Sequence, residues 1–263
     1  MLNIKFLIDK EILAKKMIAK KNFLPTDFAN YLWGKYRNSY LEIKRSITSN
    51  YIDSKMLIEL QEQDFFNIEF EKAKQNLKRI EGNWLKNKDK INYYLRYICR
   101  KDFDLNVNAY ITSPNLNAGE NIGNNTFLWG HKLGLEDLNY DLVYLVHESL
   151  HSLFPKDDLS HSIIEKICDV ELAKYLNKDY KGYKTHTFTK DYHIKSFPFW
   201  NLYLNLSPKD ILKEQEDSGI KYNYLNFEEL RNKLNNMNIW DFANFLKDEI
   251  QNINYTSTYI INN

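Results

Sequence analysis

The apolar positions along this chain follow a helical period over most of its length. They recur at intervals of three and four residues, the spacing that places them on one face of an α-helix. Thr26 or Asp27, after Pro25, is the expected start of one such helix, and another is expected to end near Gly82. The predicted helices cover residues 8–19, 26–47, 54–81, 84–100, 207–217, 226–235 and 239–252.

The period changes to two after Asp104. Every second residue from Leu105 to Ile111 is apolar, which predicts a half-buried strand. Thr126–Gly130 predicts a second strand, and the glycine- and asparagine-rich stretch 114–125 between them predicts a loop. We therefore expect an α+β fold that is mostly helical. We expect one unit over 1–263, with a helical part at 1–103, the sheet and two motif-bearing helices at 104–177 and a mostly helical part at 178–263.

One predicted helix, which begins near Leu142, carries a group of polar residues inside an apolar run. Residues 147–151 read His-Glu-Ser-Leu-His, which is the pattern H-E-x-x-H. Asn139 or Asp141 is suited to cap the start of this helix, and Pro155 is expected to stop it.

The spacing of this motif suits a metal ion with a general base beside it. Imidazoles four residues apart on a helix converge on one ion, and His147 and His151 have that spacing. A Zn²⁺ ion lowers the pKa of its water to about 7, and Glu148 would take a proton from that water and pass it to the leaving amine. The alternative is a buried helix with two hydrogen-bonded histidines, which is costly in an apolar segment.

The next apolar segment, 161–173, predicts a second helix with polar residues on one face. His161, Glu165 and Asp169 recur four residues apart and therefore share that face. A carboxylate is a common zinc ligand, and a nearby aspartate can accept the free ring N–H of a ligand histidine and fix its tautomer.

Together the two motifs resemble the gluzincins, the thermolysin-like branch of the zincin peptidases. That branch has H-E-x-x-H on one helix and E-x-x-x-D on the next, matched here within about residues 140–175. The resemblance implies a zincin-like fold with Zn²⁺ bound by His147, His151 and Glu165. It also implies Glu148 as the catalytic base and Asp169 as the residue that supports a ligand.

The sequence leaves alternatives for the third ligand. Glu171 and His161 are rivals of Glu165, and the thirteen residues that separate the two motifs are fewer than in thermolysin. Ser162 and Glu165 also fit a helix capping box, S-x-x-E, which would give Glu165 a structural role. The metzincin pattern is not met, because Phe154 stands where that pattern has a glycine.

Two further features concern the substrate. By the same resemblance, Thr126–Trp129 would be the edge strand that pairs with an extended peptide through unpaired backbone groups. An ordinary hairpin is the alternative. A tyrosine or histidine would stabilise the oxyanion, and the residues considered for this role are His161, Tyr183, His186, Tyr192 and His193.

Composition narrows the class of protein. Lys and Arg number 36 against 35 Asp and Glu, so the net charge of +1 favours neither nucleic acid nor a charged membrane as partner. Cys99 and Cys168 lie in apolar contexts outside any C-x-x-C pair, which indicates buried free thiols and a reducing compartment. The N-terminus lacks a signal-peptide core, and no apolar stretch reaches the length of a membrane span. We expect a soluble, cytoplasmic protein.

The sequence thus predicts a zinc-dependent metallopeptidase that acts on a peptide or protein substrate. A regulatory protease specific for one partner protein is a second hypothesis, with the same chemistry. A catalytically degenerate zincin that serves as a binding module is a third, and the intact Glu148 argues against it.

Overall fold

A computed structural model describes residues 1–131, 139–177, 183, 186–205 and 227–252. Within these residues the chain is mostly helical with one small mixed sheet, which confirms the predicted α+β class. The helix predicted over 207–217 lies outside the described residues. The strands are β1 (Leu2–Leu7), β2 (Leu105–Ile111), β3 (Ala118–Gly123) and β4 (Thr126–Gly130). The helices are α1 (Lys10–Ala19), α2 (Thr26–Lys35), α3 (Arg37–Arg45), α4 (Ser54–Gln61), α5 (Asp64–Cys99), α6 (Tyr140–Leu150), α7 (Asp158–Glu165), α8 (Ala173–Leu176), α9 (Lys190–Tyr203), α10 (Phe227–Asn235) and α11 (Ile239–Asn252).

The chain divides into two compact units. The first comprises Met1–Asp89 and Asp104–Leu153, and the second comprises Lys90–Phe103 and Phe154–Asn263. Helix α5 is continuous through the boundary between Asp89 and Lys90, so its last ten residues belong to the second unit.

The sheet of the first unit has the strand order β1-β2-β4-β3. β1, β2 and β4 are parallel, and β3 is antiparallel to β4. β2 alternates between buried and more exposed residues, as predicted. The expectation that Thr126–Trp129 is the edge strand is wrong, because β4 pairs with β2 on one side and with β3 on the other. Among the described strands, β3 and β1 form the two edges.

Two strands lie where the sequence predicted none. β1 falls within the part predicted to be helical, and Leu2, Ile4 and Phe6 alternate there with polar residues. β3 falls within the predicted loop, and it pairs with β4 through a two-residue turn at Asn124 and Asn125. Both asparagines have positive φ, 50° and 52°, as the tight hairpin turn of type I′ requires.

A hydrophobic core joins α1–α4 to the start of α5 in the first unit. The single helix predicted over 26–47 is instead two helices, because α2 and α3 are separated at Tyr36. Conversely, α5 passes through Gly82 where a stop was predicted. One glycine inside a helix costs about 1 kcal/mol, less than the burial of the neighbouring Ile80 and Trp84 contributes. The fully buried members of this core include Leu13, Ala14, Met17, Ile18, Leu32, Met56, Leu60, Phe66, Ala73 and Leu116.

The second unit packs the end of α5 with α7–α11. The Tyr94 hydroxyl donates to the Ile167 carbonyl at 2.8 Å, and the Tyr203 hydroxyl donates to the Ile98 carbonyl at 2.7 Å. Cys99 and Cys168 are both buried free thiols, as predicted. Among the described residues, no helix is long and apolar enough to cross a membrane.

Candidate functional site

Helix α6 carries the H-E-x-x-H motif and is shorter than predicted. It ends at Leu150, five residues before Pro155, so the proline does not stop it. The chain then tightens: the Ser152 N–H donates to the Ser149 carbonyl, and the Leu153 N–H donates to the Leu150 carbonyl. His151 is the C-cap with φ −54° and ψ −20°. Because these dihedrals remain helical, His151 stays one turn from His147.

The start of α6 is fixed by a buried carboxylate and not by a side-chain cap. Asn139 is the N-cap, and its side chain makes no capping hydrogen bond. Asp141, whose side chain is 1% exposed, accepts from Arg79 Nη1 at 2.6 Å and from Trp129 Nε1 at 2.7 Å. Neither Asn139 nor Asp141 therefore acts as the predicted side-chain cap. Asp141 instead links α6 to α5 and β4 through its two hydrogen bonds.

The two motif histidines face each other at the end of α6. Their ring centroids are 5.1 Å apart, with the ring planes at 66°. His147 is 2% exposed, and its ring stacks on Tyr144 at a centroid distance of 5.6 Å. Tyr144 in turn stacks on Trp129 at 5.6 Å. This aromatic stack limits the rotamers of His147, which favours a fixed ligand geometry.

Glu148 lies against the edge strand β3. Glu148 is only 9% exposed. A Cβ built on Gly119 would lie 3.7 Å from Glu148 Oε1, so the absence of a side chain at Gly119 leaves room beside the carboxylate. Two residues along the strand, Asn121 Nδ2 donates to the Glu148 backbone carbonyl at 3.3 Å. Strand β3 thus approaches both the side chain and the backbone of Glu148.

In the second unit, Glu165 is a fully buried carboxylate that accepts four hydrogen bonds. Its Oε1 accepts from the His186 backbone N–H and from His186 Nδ1, each at 2.6 Å. Its Oε2 accepts from Thr189 Oγ1 at 2.5 Å and from His193 Nε2 at 2.6 Å. Because an ionised carboxylate only accepts, His186 carries its proton on Nδ1 and His193 on Nε2.

These hydrogen bonds determine the charge of the pair. Burial raises the pKa of the Glu165 carboxyl, but the donors His193, Thr189 and His186 outweigh that effect and lower the pKa to about 2. Burial lowers the pKa of His193, although its bond to Glu165 acts in the opposite direction. At neutral pH, Glu165 is therefore ionised and His193 is a neutral donor.

The remaining residues of the predicted second helix are placed as follows. His161 Nε2 lies 3.8 Å from Glu165 Oε1. His161, Glu165 and His186 each offer a ligand atom within 4.8 Å of the others, so this group could hold a metal ion. Asp169 is fully buried, and Glu171 pairs with Lys174 at 3.3 Å.

The capping-box explanation for Glu165 is wrong. Helix α7 begins at Asp158, and its N-cap is Asp157, whose side chain accepts from the Ser160 N–H at 2.7 Å. Ser162 and Glu165 therefore lie inside the helix, where Ser162 Oγ donates to the Leu159 carbonyl. Glu165 is free of any capping role.

A π-helical segment follows Glu165 directly. It covers Lys166–Leu172 and separates α7 from α8, where a regular helix was predicted. Asp169 lies within this segment, so the backbone between Glu165 and Asp169 is not the regular α-helix that the sequence predicted. Such segments occur frequently at functional sites.

The residues considered for the oxyanion lie in the second unit. His193 and His186 are committed to Glu165, and Tyr192 is half-buried in the first turn of α9. Thr189 and the buried Lys166 were not predicted as part of the site. Lys166 Nζ donates to the His193 carbonyl at 3.3 Å. The lysine directly follows Glu165 within an apolar run, and that is the signal that could have drawn attention to it.

Comparison of the chain with protein-family models, curated proteins and solved structures gives no match.

Proposed function

We propose that the protein is a zinc-dependent metallopeptidase with His147 and His151 as ligands. The observation that carries this proposal is the pair of imidazole rings at the end of α6, with centroids 5.1 Å apart. With Zn–N bonds of about 2.0–2.1 Å and tetrahedral angles, two imidazoles on one ion have centroids roughly 5 Å apart. Neutral imidazoles are also among the donors that zinc prefers.

Glu148 is the proposed general base. A bound zinc ion would polarise the scissile carbonyl and activate the attacking water. Glu148 takes a proton from that water and transfers it to the departing amine. The carboxylate suits this role because it adjoins the first ligand and is largely shielded from solvent, at 9% exposure. A zincin-like arrangement, in which the motif helix lies beside an edge strand, is part of the proposal.

Strand β3 takes the place of Thr126–Trp129 as the proposed substrate strand. One side of β3 pairs with β4, and the other side is an edge among the described strands. An extended peptide would add to that edge by backbone hydrogen bonds. Gly119 supports this placement, since its missing side chain leaves space next to Glu148.

The third ligand stays a prediction from the sequence, with Glu165 first and Glu171 and His161 as the alternatives. A ligand carboxylate must be ionised, and Glu165 is held in that state. Its four donors occupy its lone pairs, so binding an ion requires one donor to move away. The side chain of His186 is 46% exposed and is the donor best placed to do so. Glu171 is less suited because it pairs with Lys174.

Metal content of the purified protein tests this proposal first. We expect about one zinc per chain by inductively coupled plasma mass spectrometry, and loss of that zinc in His151→Ala. His131→Ala is the matched control, since it removes another histidine of the first unit and should keep the zinc. The same measurement on Glu165→Ala and His161→Ala identifies the third ligand. A parent protein without zinc, even after zinc is offered and the excess removed, would overturn the proposal.

Hydrolysis of fluorescently labelled casein tests the reaction. Glu148→Gln should retain zinc and lose most activity, because the amide cannot accept the proton of the attacking water. A Glu148→Gln protein that cleaves at the parent rate contradicts the role of base. A parent protein that binds zinc and leaves casein intact favours the regulatory protease with one partner, and a protein that binds a partner without cleaving it favours the binding module.

A further inference from the structure

Asn121 lies at an irregularity in the edge strand. Residues pair in register up to Asn121 and Phe127, but the next pair is Gly123 with Thr126, so Ile122 is an extra residue in β3. Gly123 has φ +89°, a conformation that glycine adopts without strain. An extra residue of this kind bends the strand and redirects a nearby side chain.

The side chain of Asn121 is held in one orientation. Its Oδ1 accepts from the Gly123 backbone N–H at 3.0 Å. Because that oxygen faces an N–H donor, the amide nitrogen points the other way, toward α6. There Nδ2 donates to the Glu148 carbonyl at 3.3 Å.

The Glu148 carbonyl belongs to the last turn of α6. Side-chain donors from other elements can bind carbonyl groups in that turn and so cap the helix. Beyond the turn, the Ser152 N–H donates to the Ser149 carbonyl at 3.1 Å. The Asn121 amide therefore contacts α6 where its regular hydrogen-bond pattern ends.

We propose that Asn121 is a positioning residue, which caps the C-terminal end of α6 and so holds Glu148 and His151 in place. This inference rests on the proposed function for its catalytic consequence. The cap itself does not, because it concerns a backbone carbonyl and a side-chain amide. Glu148 lies in the last turn of α6, and His151 is the C-cap of that helix. Loosening that turn would therefore change the distance between the rings of His147 and His151.

The first test measures the end of the helix without metal. Amide hydrogen exchange is followed in the peptides that cover residues 145–154, for the parent, Asn121→Ala and Asn121→Asp in the presence of a chelator. Asn121→Asp keeps the acceptor for Gly123 and removes the donor to Glu148. Asn106→Asp, an exposed asparagine of β2 whose Oδ1 also accepts a hydrogen bond, is the matched control. We expect exchange about 10-fold faster in both Asn121 variants, as loss of one hydrogen bond implies. Parent-like exchange in both overturns the inference.

The second test reads the ligand geometry through Co²⁺, whose visible absorption reports coordination. We expect the Asn121 variants to bind Co²⁺ at least about 10-fold more weakly than the parent, because residues that orient metal ligands have effects of this size. The visible spectrum of the bound Co²⁺ should also change. On casein, kcat should fall while KM stays unchanged. Faster exchange at the end of α6 together with these changes would link the cap to the ligand geometry and to catalysis. If the parent binds Co²⁺ and the variants give its spectrum and affinity, the inference fails while the proposed function stands. If the parent binds no metal, the proposed function fails, and faster exchange in the variants would leave Asn121 as a helix cap alone, which overturns its catalytic role.

Discussion

Replacing Lys166 by methionine should stabilise the protein at neutral pH and destabilise it in alkali. Lys166 is 4% exposed, and burial lowers the pKa of its ammonium from 10.5 to about 7, although Glu171 and Glu165 act in the opposite direction. Methionine has a similar length and carries no charge. The replacement therefore removes the cost of burying an ammonium group, and it also removes the hydrogen bond to the His193 carbonyl.

The magnitude follows from linkage. Between pH 7 and 10.5 the unfolded chain binds a proton at Lys166 that the folded chain releases, so the free energy of unfolding rises with pH through this window. The buried ammonium of Lys166 lowers the free energy of unfolding by about 5 kcal/mol below pH 7 and by about 2 kcal/mol near pH 9. Loss of the hydrogen bond to His193 costs about 1–2 kcal/mol at any pH. The net effect of Lys166→Met is about +3 kcal/mol at pH 6 and changes sign between about pH 9 and 10.

Urea denaturation from pH 6 to pH 10, with a chelator present, measures this difference. Lys88→Met is the matched control, because Lys88 is an exposed lysine on the regular helix α5. We expect the control to change stability by less than about 1 kcal/mol without a trend in pH. A Lys166→Met protein whose stability difference from the parent is the same at pH 6 and pH 10 would refute the reasoning, since only a titrating buried amine produces the trend.

Two further substitutions, at Asp141 and Gly119, test the contacts that hold α6 and β3 against Trp129 of β4. Asp141→Ala removes the carboxylate that accepts from the Arg79 guanidinium and from the Trp129 indole N–H. We expect it to lower the free energy of unfolding, measured in urea, by about 3–5 kcal/mol and by more than Asp141→Asn does. Equal effects of the two substitutions would contradict an anchor that depends on charge. Gly119→Ala places a Cβ 3.0 Å from the Trp129 ring, so we expect it to cost about 1–3 kcal/mol and to reduce kcat/KM on casein. Gly34→Ala, where a Cβ meets nothing within 4 Å, should instead be neutral or stabilise by up to about 1 kcal/mol.

The parts of the fold that the sequence predicts are those with strong local periodicity. β2 alternates over seven residues, and α6 combines an apolar stripe with its motif. The edge strand β3 has no such pattern, because it contains glycines and asparagines that disfavour strands by themselves. It forms because a tight turn brings it against β4. β1 pairs with residues about a hundred positions away, and its alternation is short enough to be outweighed by the helical pattern that follows.

The same distinction applies to the candidate site. His147, Glu148 and His151 are recognisable because the chemistry proposed for them depends on spacing within one helix. The donors to Glu165 are not, because His186, Thr189 and His193 lie 21 to 28 residues away in sequence. No local pattern connects them to the carboxylate. Nor does any sequence rule predict the π-helical segment that begins at Lys166.

The environment of Glu165 bears on which of the two glutamates is proposed as the base. Glu165 has a pKa of about 2 and four donors, so at neutral pH it is an ion that neither gives nor takes a proton. Such a carboxylate is suited to hold a cation and is unsuited to general acid–base catalysis, which requires a pKa near the working pH. Glu148 lies against strand β3, where a Cβ built on Gly119 would be 3.7 Å from its Oε1. We therefore keep Glu148 as the proposed base, because giving that role to Glu165 would place it on a carboxylate that its hydrogen-bond donors hold in the ionised form.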